Sequence, residues 1–180
     1  MKTNFATSNT NKFTEAKMLF DKENLELDHY KVDLIELQTD NVEELALFSV
    51  RNAYKALQKP VFVEDTGLFI TSLKGFPGVY SKQTLQTIGW EGILKLLEGI
   101  EDRSAEFRAV VAYKDGDNEK VFKGVCAGNI TSQARGREGF GYDPIFQPKG
   151  SEKTFAEDVV AKSNLSHRAQ ALEQLVKYLK

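Results

Sequence analysis

PVFVEDTGLFITSLKGFPGVYSK, residues 60–82, is the stretch that decides how this chain folds. Val61, Phe62 and Val63 form a short, wholly apolar run, the pattern of a strand buried on both faces. Glu64 and Asp65 follow at once, and Gly67 is then expected to let the chain turn. A strand that ends in acids delivers them to the carboxyl edge of its sheet, where open α/β folds bind ligands. A second apolar run, Leu68 to Ile70, leads into GFPGVYSK, where Gly75, Pro77 and Gly78 set a tight, stiff loop. A strand capped by solvated acids and joined to a hairpin fits the same residues, so the rest of the chain must decide whether the acids are functional.

Reading back towards the amino terminus, Pro60 closes a long amphipathic helix whose buried face is Val42, Leu45, Ala46, Val50, Ala53, Tyr54 and Leu57. Asp40 with Glu43 three residues on resembles a capping box for it. Leu25 to Leu37 contains a strand with Glu36 near its end, and Lys2 to Thr7 is a first strand with Phe5 and Ala6 buried. Between these two strands, Ser8-Asn9-Thr10-Asn11-Lys12 is a small polar turn into a helix that runs to about Lys22. Such a turn points backbone N–H groups outward, and the helix dipole favours an anion there, with Lys12 adding a point charge for phosphate. An ordinary N-capped helix uses the same residue types.

Reading forward, Thr84 to Leu97 is expected to be one helix with Trp90, Ile93, Leu94 and Leu97 inward. Ala105–Tyr113 and Val121–Ile130 are β-rich, and Lys114 to Lys120, with DGDN at its centre, makes them a hairpin. In RGREGFGYDP, residues 135–144, the glycines require sharp bends or close approach. Phe140 and Tyr142 there suit stacking on a flat ring, or else anchor the loop to the core. Ile145-Phe146 is a short strand, and Thr154 to Glu157 opens a further element. The closing helix turns Ala169, Leu172, Leu175, Val176 and Leu179 inward, with Ser166 as its N-cap. Lys162, His167 and Arg168 then collect near a helix N-terminus, where the dipole disfavours cations unless an anion is at hand.

Composition narrows the function. A chain of 180 residues, 41% hydrophobic, supports one substantial core, read as a single domain over residues 1–180 with two lobes. A net charge of −2 argues against a general nucleic-acid binder. MKTNFATSNTNK lacks the apolar segment of a signal peptide, and no run reaches the ~18 apolar residues of a membrane span. The single cysteine, Cys126, excludes an intrachain disulfide or a cysteine-based zinc site. The expectation is a soluble, cytoplasmic protein with neither nucleic acid nor membrane as partner; the charge balance leaves room for a local basic pocket for one phosphorylated molecule.

Six segments in order resemble the inosine triphosphate pyrophosphatase family: ATSNTNK (6–12), VEDTGLFI (63–70), GFPGVYSK (75–82), GFGYDPIF (139–146), TFAE (154–157) and KSNLSHR (162–168). The resemblance implies an α/β fold, an elongated mixed β-sheet with flanking helices forming two lobes around a central cleft, usually as a homodimer. It implies magnesium-dependent hydrolysis of ITP, dITP and XTP to the nucleoside monophosphate and pyrophosphate. Residue by residue, it sets Thr7, Ser8, Asn9, Thr10, Asn11 and Lys12 against the triphosphate. Glu36 and Asp65 become the ligands of Mg²⁺, with Asp65 also the base for water and Thr66 beside it. Lys82 becomes a substrate contact, Phe140, Gly141, Tyr142 and Asp143 the wall of the base pocket, and Lys162, His167 and Arg168 complete the nucleotide site. Ser8 stands where the family usually has glycine, which matters if that position needs a positive φ.

The chemistry suits these residues. Mg²⁺ is usually held by one or two carboxylates together with phosphate oxygens and water. A carboxylate can orient and deprotonate the attacking water, while metal and lysines offset the charge on phosphorus. Strand alternation turns Glu64 away from Asp65, into a supporting network. Two other readings are a pyrophosphatase acting on pyrimidine or methylated nucleotides, and a nucleotide sensor that does not hydrolyse. GFGYD and SHR argue against the first, and Glu36 with Asp65 against the second.

Overall fold

The computed structural model describes residues 2–33 and 37–180. Its strands are β1 (Lys2–Ala6), β2 (Glu26–Tyr30), β3 (Val61–Ile70), β4 (Pro77–Gly78), β5 (Ser104–Asp115), β6 (Asn118–Ile130) and β7 (Phe146–Pro148). The helices are α1 (Thr10–Lys22), α2 (Val42–Leu57), α3 (Ser81–Thr87), α4 (Gly89–Leu96), α5 (Val159–Leu165) and α6 (His167–Leu179). The strands make one mixed sheet in the order β2-β1-β3-β5-β6-β7, with β4 pairing β3. β1 runs parallel to both β2 and β3, whereas β4 is antiparallel to β3 and β7 to β6. The α/β class and the mixed sheet agree with the sequence reading. Among the described residues no helix is long and apolar enough to cross a membrane.

The chain divides into two compact units. The first comprises Met1–Asp65, Ala109–Gly124 and Arg168–Lys180. Its core gathers Phe5, Phe62 and Tyr113 from the strands with Ala16 and Phe20 of α1 and Ala171, Leu172 and Leu175 of α6. Phe62 stacks on Phe5 at 4.4 Å and on Phe20 at 5.8 Å. The second comprises Thr66–Arg108 and Val125–His167, around Leu68, Ile70, Ile93, Leu97, Phe107, Phe146 and Phe155. Burying each such side chain contributes roughly 1.5–3 kcal/mol, so each unit holds its own apolar centre.

Four local expectations are corrected. VEDTGLFI does not turn at Gly67: β3 runs unbroken for ten residues, and Glu64 and Asp65 lie inside the strand, not at its end. Gly67 is required because a Cβ there would lie 2.5 Å from the Gly78 carbonyl oxygen, so β4 could not pair so closely. Gly67→Ala is therefore expected to cost about 2 kcal/mol and lower Tm by roughly 4–8 °C in a thermal melt; an unchanged Tm would remove this role. The N-cap of α2 is Asn41, not Asp40; its side chain accepts from Glu43 N and Glu44 N, and Glu44 in turn accepts from Thr39 Oγ1 at 2.7 Å. The helix expected over 84–97 is two, since Gly89 at φ 67° breaks the chain between α3 and α4.

The fourth correction lies near the end. Thr154–Glu157 is a turn closed by Thr154 N donating to Glu157 Oε2 at 2.8 Å. It leads into α5, a short helix capped by Asp158 that the sequence reading missed. Lys162 therefore belongs to α5, while His167 and Arg168 open α6. By contrast the hairpin at DGDN forms, with a shorter turn than the expected Lys114–Lys120: β5 and β6 are joined through Gly116 and Asp117, with Gly116 at φ 58°.

Candidate active site

In the first unit the polar turn after β1 is shaped by its own side chains. Asn9 N donates to Thr7 Oγ1 at 3.1 Å, and Asn9 Oδ1 accepts from Asn11 N at 3.0 Å and Lys12 N at 3.2 Å. Asn9 is thus the N-cap of α1, as the capping alternative requires. Thr7 is buried, its N–H donating to the Tyr30 carbonyl and its carbonyl accepting from His29 Nε2 at 2.9 Å. Ser8, Asn9, Thr10 and Asn11 are exposed. Among the described residues the non-glycine positions with positive φ are Asn24, Gln58 and Lys74, so Ser8 carries no left-handed strain in place of glycine.

Lys12 turns from this loop onto β3. Its Nζ lies 2.7 Å from Glu64 Oε2 and 2.9 Å from the Glu64 carbonyl oxygen. Glu64 is buried, and its other oxygen, Oε1, faces Arg168 Nη2 at 3.3 Å. Arg168 Nη1 also donates to Glu15 Oε2 at 2.6 Å. Burial disfavours the charged guanidinium, but Glu64 and Glu15 outweigh it and raise its pKa. The cation at the start of α6, which the dipole disfavours, is thereby answered by two carboxylates of the chain itself. Asp65 is half-buried beside Glu64 in β3. Glu36, the other expected metal ligand, lies outside the described residues.

In the second unit Thr66 continues β3, half-buried, and Lys82 sits exposed in the first turn of α3. Asp143 organises the glycine-rich loop: its Oδ2 accepts from Phe140 N at 2.8 Å and from Lys162 Nζ at 2.7 Å. Both side chains of that ion pair are nearly inaccessible, and the Lys162 ammonium rests 4.1 Å from the centre of the Phe140 ring. A Cβ on Gly139 would lie 2.2 Å from Asp143 Oδ2, which explains that glycine, and Gly141 bends the loop at φ 67°. Tyr142 is a core residue whose hydroxyl donates to the Ser81 carbonyl at 2.8 Å, and burial pushes its pKa well up. The anchoring alternative therefore describes Tyr142, while Phe140 remains half-buried. His167 is buried with its ring stacked on Phe107 at 4.6 Å.

The structure thus groups Lys12, Glu64, Arg168 and Glu15 in one unit, and Phe140, Asp143 and Lys162 in the other. Glu64 and Glu15 were not singled out as site residues by sequence. A signal for Glu64 existed, because it shares a face of β3 with Phe62, two residues before it. Among the described residues no three His, Cys, Asp or Glu side chains gather as a metal-holding group. Glu64 faces two cations, and Asp65, the carboxylate expected for a metal, follows it in β3. A hard oxygen donor of this kind fits a Mg²⁺ ion that draws its other ligands from phosphate and water.

The architecture is that of a class of solved α/β proteins. A HAM1 protein from Coxiella burnetii superposes with a TM-score of 0.86 at 32% identity, over 99% of this chain and 98% of that one. The Staphylococcus aureus Ham1 protein gives 0.83 at 30% identity, over 98% and 97%. The Ham1 family model matches residues 3–178, and the chain belongs to the Ham1 family. A dITP/XTP pyrophosphatase of Methanopyrus kandleri is 48% identical over 100% of this chain and 97% of its own length. An inosine triphosphate pyrophosphatase of Yarrowia lipolytica is 42% identical over 97% and 94%.

Proposed function

We propose that this protein hydrolyses noncanonical purine nucleoside triphosphates, namely dITP, XTP and ITP, to the nucleoside monophosphate and pyrophosphate. The observation that carries the reading is the 48% identity, across the whole chain, to a protein named dITP/XTP pyrophosphatase. The inosine triphosphate pyrophosphatase among the relatives supports the same substrate class.

In this reading Thr7 to Lys12 meet the triphosphate, with Lys12 offsetting its charge. Asp65 orients a water molecule and takes its proton as the water oxygen bonds to the α-phosphorus. The bridging oxygen between the α- and β-phosphates leaves with pyrophosphate. Asp65 and Glu36 would hold a divalent cation, magnesium by the oxygen character of the donors, and that ion supplies charge neutralisation at the phosphates. Thr66 and Lys82 assist in holding substrate. Phe140, Gly141, Tyr142 and Asp143 form the wall against the base, Phe140 offering a ring and Tyr142 anchoring the wall. Lys162 joins Lys12 in offsetting charge at the phosphates, while His167 and Arg168 supply donors for the 6-oxo group that inosine and xanthine share and adenine lacks. Homodimer assembly and a cytoplasmic location complete the proposal.

The test is product identity. With ITP and magnesium, chromatography is expected to show IMP and pyrophosphate as the first products. IDP with orthophosphate would exclude attack at the α–β anhydride, and no turnover of ITP, dITP or XTP would remove the reading.

A further inference from the structure

We propose that Glu64 is a positioning residue of this site, which fixes the Lys12 ammonium and the Arg168 guanidinium through one buried carboxylate. The proposal rests on the assignment above of Lys12 to the phosphates and Arg168 to the base. Alternation along β3 places Glu64 on the face of Phe62, whose ring packs against α1 through Phe20. The α6 residues Ala171, Leu172 and Leu175 join the same core. The two helices that cover this face therefore each bring a cation to it: Lys12 from the first turn of α1 and Arg168 from the first turn of α6.

The Glu64 side chain has no solvent exposure, so its charge is compensated by these cations in place of water. Lys12 Nζ touches both the carboxylate, at 2.7 Å, and the main-chain carbonyl of the same residue, at 2.9 Å. A lysine is ordinarily a point charge on a flexible stem; here its position is set by β3. The opposite carboxylate oxygen holds Arg168 at 3.3 Å, and Glu15 holds the guanidinium from α1 at 2.6 Å. One strand residue thus sets the place of a cation assigned to the phosphates and of one assigned to the base. Glu64 itself is assigned no contact with the reacting atoms.

The test uses the full chain with Glu64→Gln, Glu64→Asp, Lys12→Met and the Lys12→Met, Glu64→Gln double variant. Glu64→Gln is expected to raise KM for dITP about tenfold with a much smaller change in kcat, and to weaken calorimetric binding of pyrophosphate by a similar factor. The kcat/KM preference for dITP over dATP should fall with it, and Glu64→Asp should recover part of the loss. In pyrophosphate affinity, which has no base for Arg168 to hold, the double variant is expected to be within about twofold of Lys12→Met alone, because both changes remove one arrangement. Unchanged KM and pyrophosphate affinity in Glu64→Gln, or pyrophosphate-affinity losses that multiply in the double variant, would overturn the proposal. Should Glu64→Gln not fold, Glu64→Asp decides alone, since withdrawing the carboxylate by one methylene must still raise KM. Wild-type protein that neither hydrolyses dITP nor binds pyrophosphate would overturn the functional reading as well, which separates the two failures.

Discussion

Asp65→Asn is expected to lower turnover of dITP and XTP by at least about 10³-fold while leaving Tm within a few degrees. A general base contributes roughly 10²–10⁴-fold, and the same carboxylate is assigned to the metal, so its loss removes two contributions at once. Asn keeps the shape of the side chain in β3, removes its charge and exchanges one acceptor oxygen for an N–H donor. The position is half-buried and outside both apolar clusters, so the packing that supports the strand is retained. Steady-state kinetics at saturating magnesium, run beside a thermal melt, check the expectation. Near-normal turnover would take the catalytic role from Asp65. A collapsed Tm would show instead that the carboxylate holds β3 together.

Arg168→Ala is expected to damage both stability and selectivity. Its guanidinium is buried between Glu15 and Glu64. Removing one partner of a buried ion pair costs about 3–5 kcal/mol, because the other charge is left uncompensated. Lys12 remains on Glu64, so the lower end applies, a fall of roughly 6–12 °C in Tm. If the guanidinium also reads the 6-oxo group, the ITP-to-ATP ratio of kcat/KM falls too, since adenine presents a donor where ITP presents an acceptor. Arg168→Lys separates the two effects: it keeps a cation for Glu64 and lacks the planar fork that serves two acceptors. A lowered Tm with an unchanged ITP-to-ATP ratio in Arg168→Ala would confine Arg168 to holding Glu64 and Glu15.

The parts of the fold visible in sequence are those written in local chemistry. Apolar runs and helical spacing located β1, α1, α2, β5 and β6. DGDN announced its turn because a two-residue hairpin needs a glycine of this kind. What was misread turned partly on a contact distant in sequence and partly on local backbone and cap geometry. Gly67 looks like a turn, yet it is a strand residue because Gly78, eleven positions on, approaches it. Gly89 looks like a tolerable residue inside a helix, yet its φ of 67° ends one helix and begins another. For Tyr142 the sequence left stacking and anchoring open, and the hydroxyl that reaches the Ser81 carbonyl decides for anchoring. Asn41 took the cap from Asp40 because its side-chain oxygen reaches two N–H groups of α2.

By itself the sequence determined the α/β class, the order of the segments that carry polar and charged chemistry, and the resemblance to nucleoside triphosphate pyrophosphatases. These follow from periodicity, turn residues and motif order, all properties of neighbouring positions. Only the tertiary structure decided the use of the charges. Lys12, Glu15, Glu64 and Arg168 are spread over more than 150 positions, with Arg168 and Glu15 alone 153 apart. No spacing rule links them. They meet because α1 and α6 pack on one face of β3, and a carboxylate enclosed there must be met by cations that the packing itself delivers.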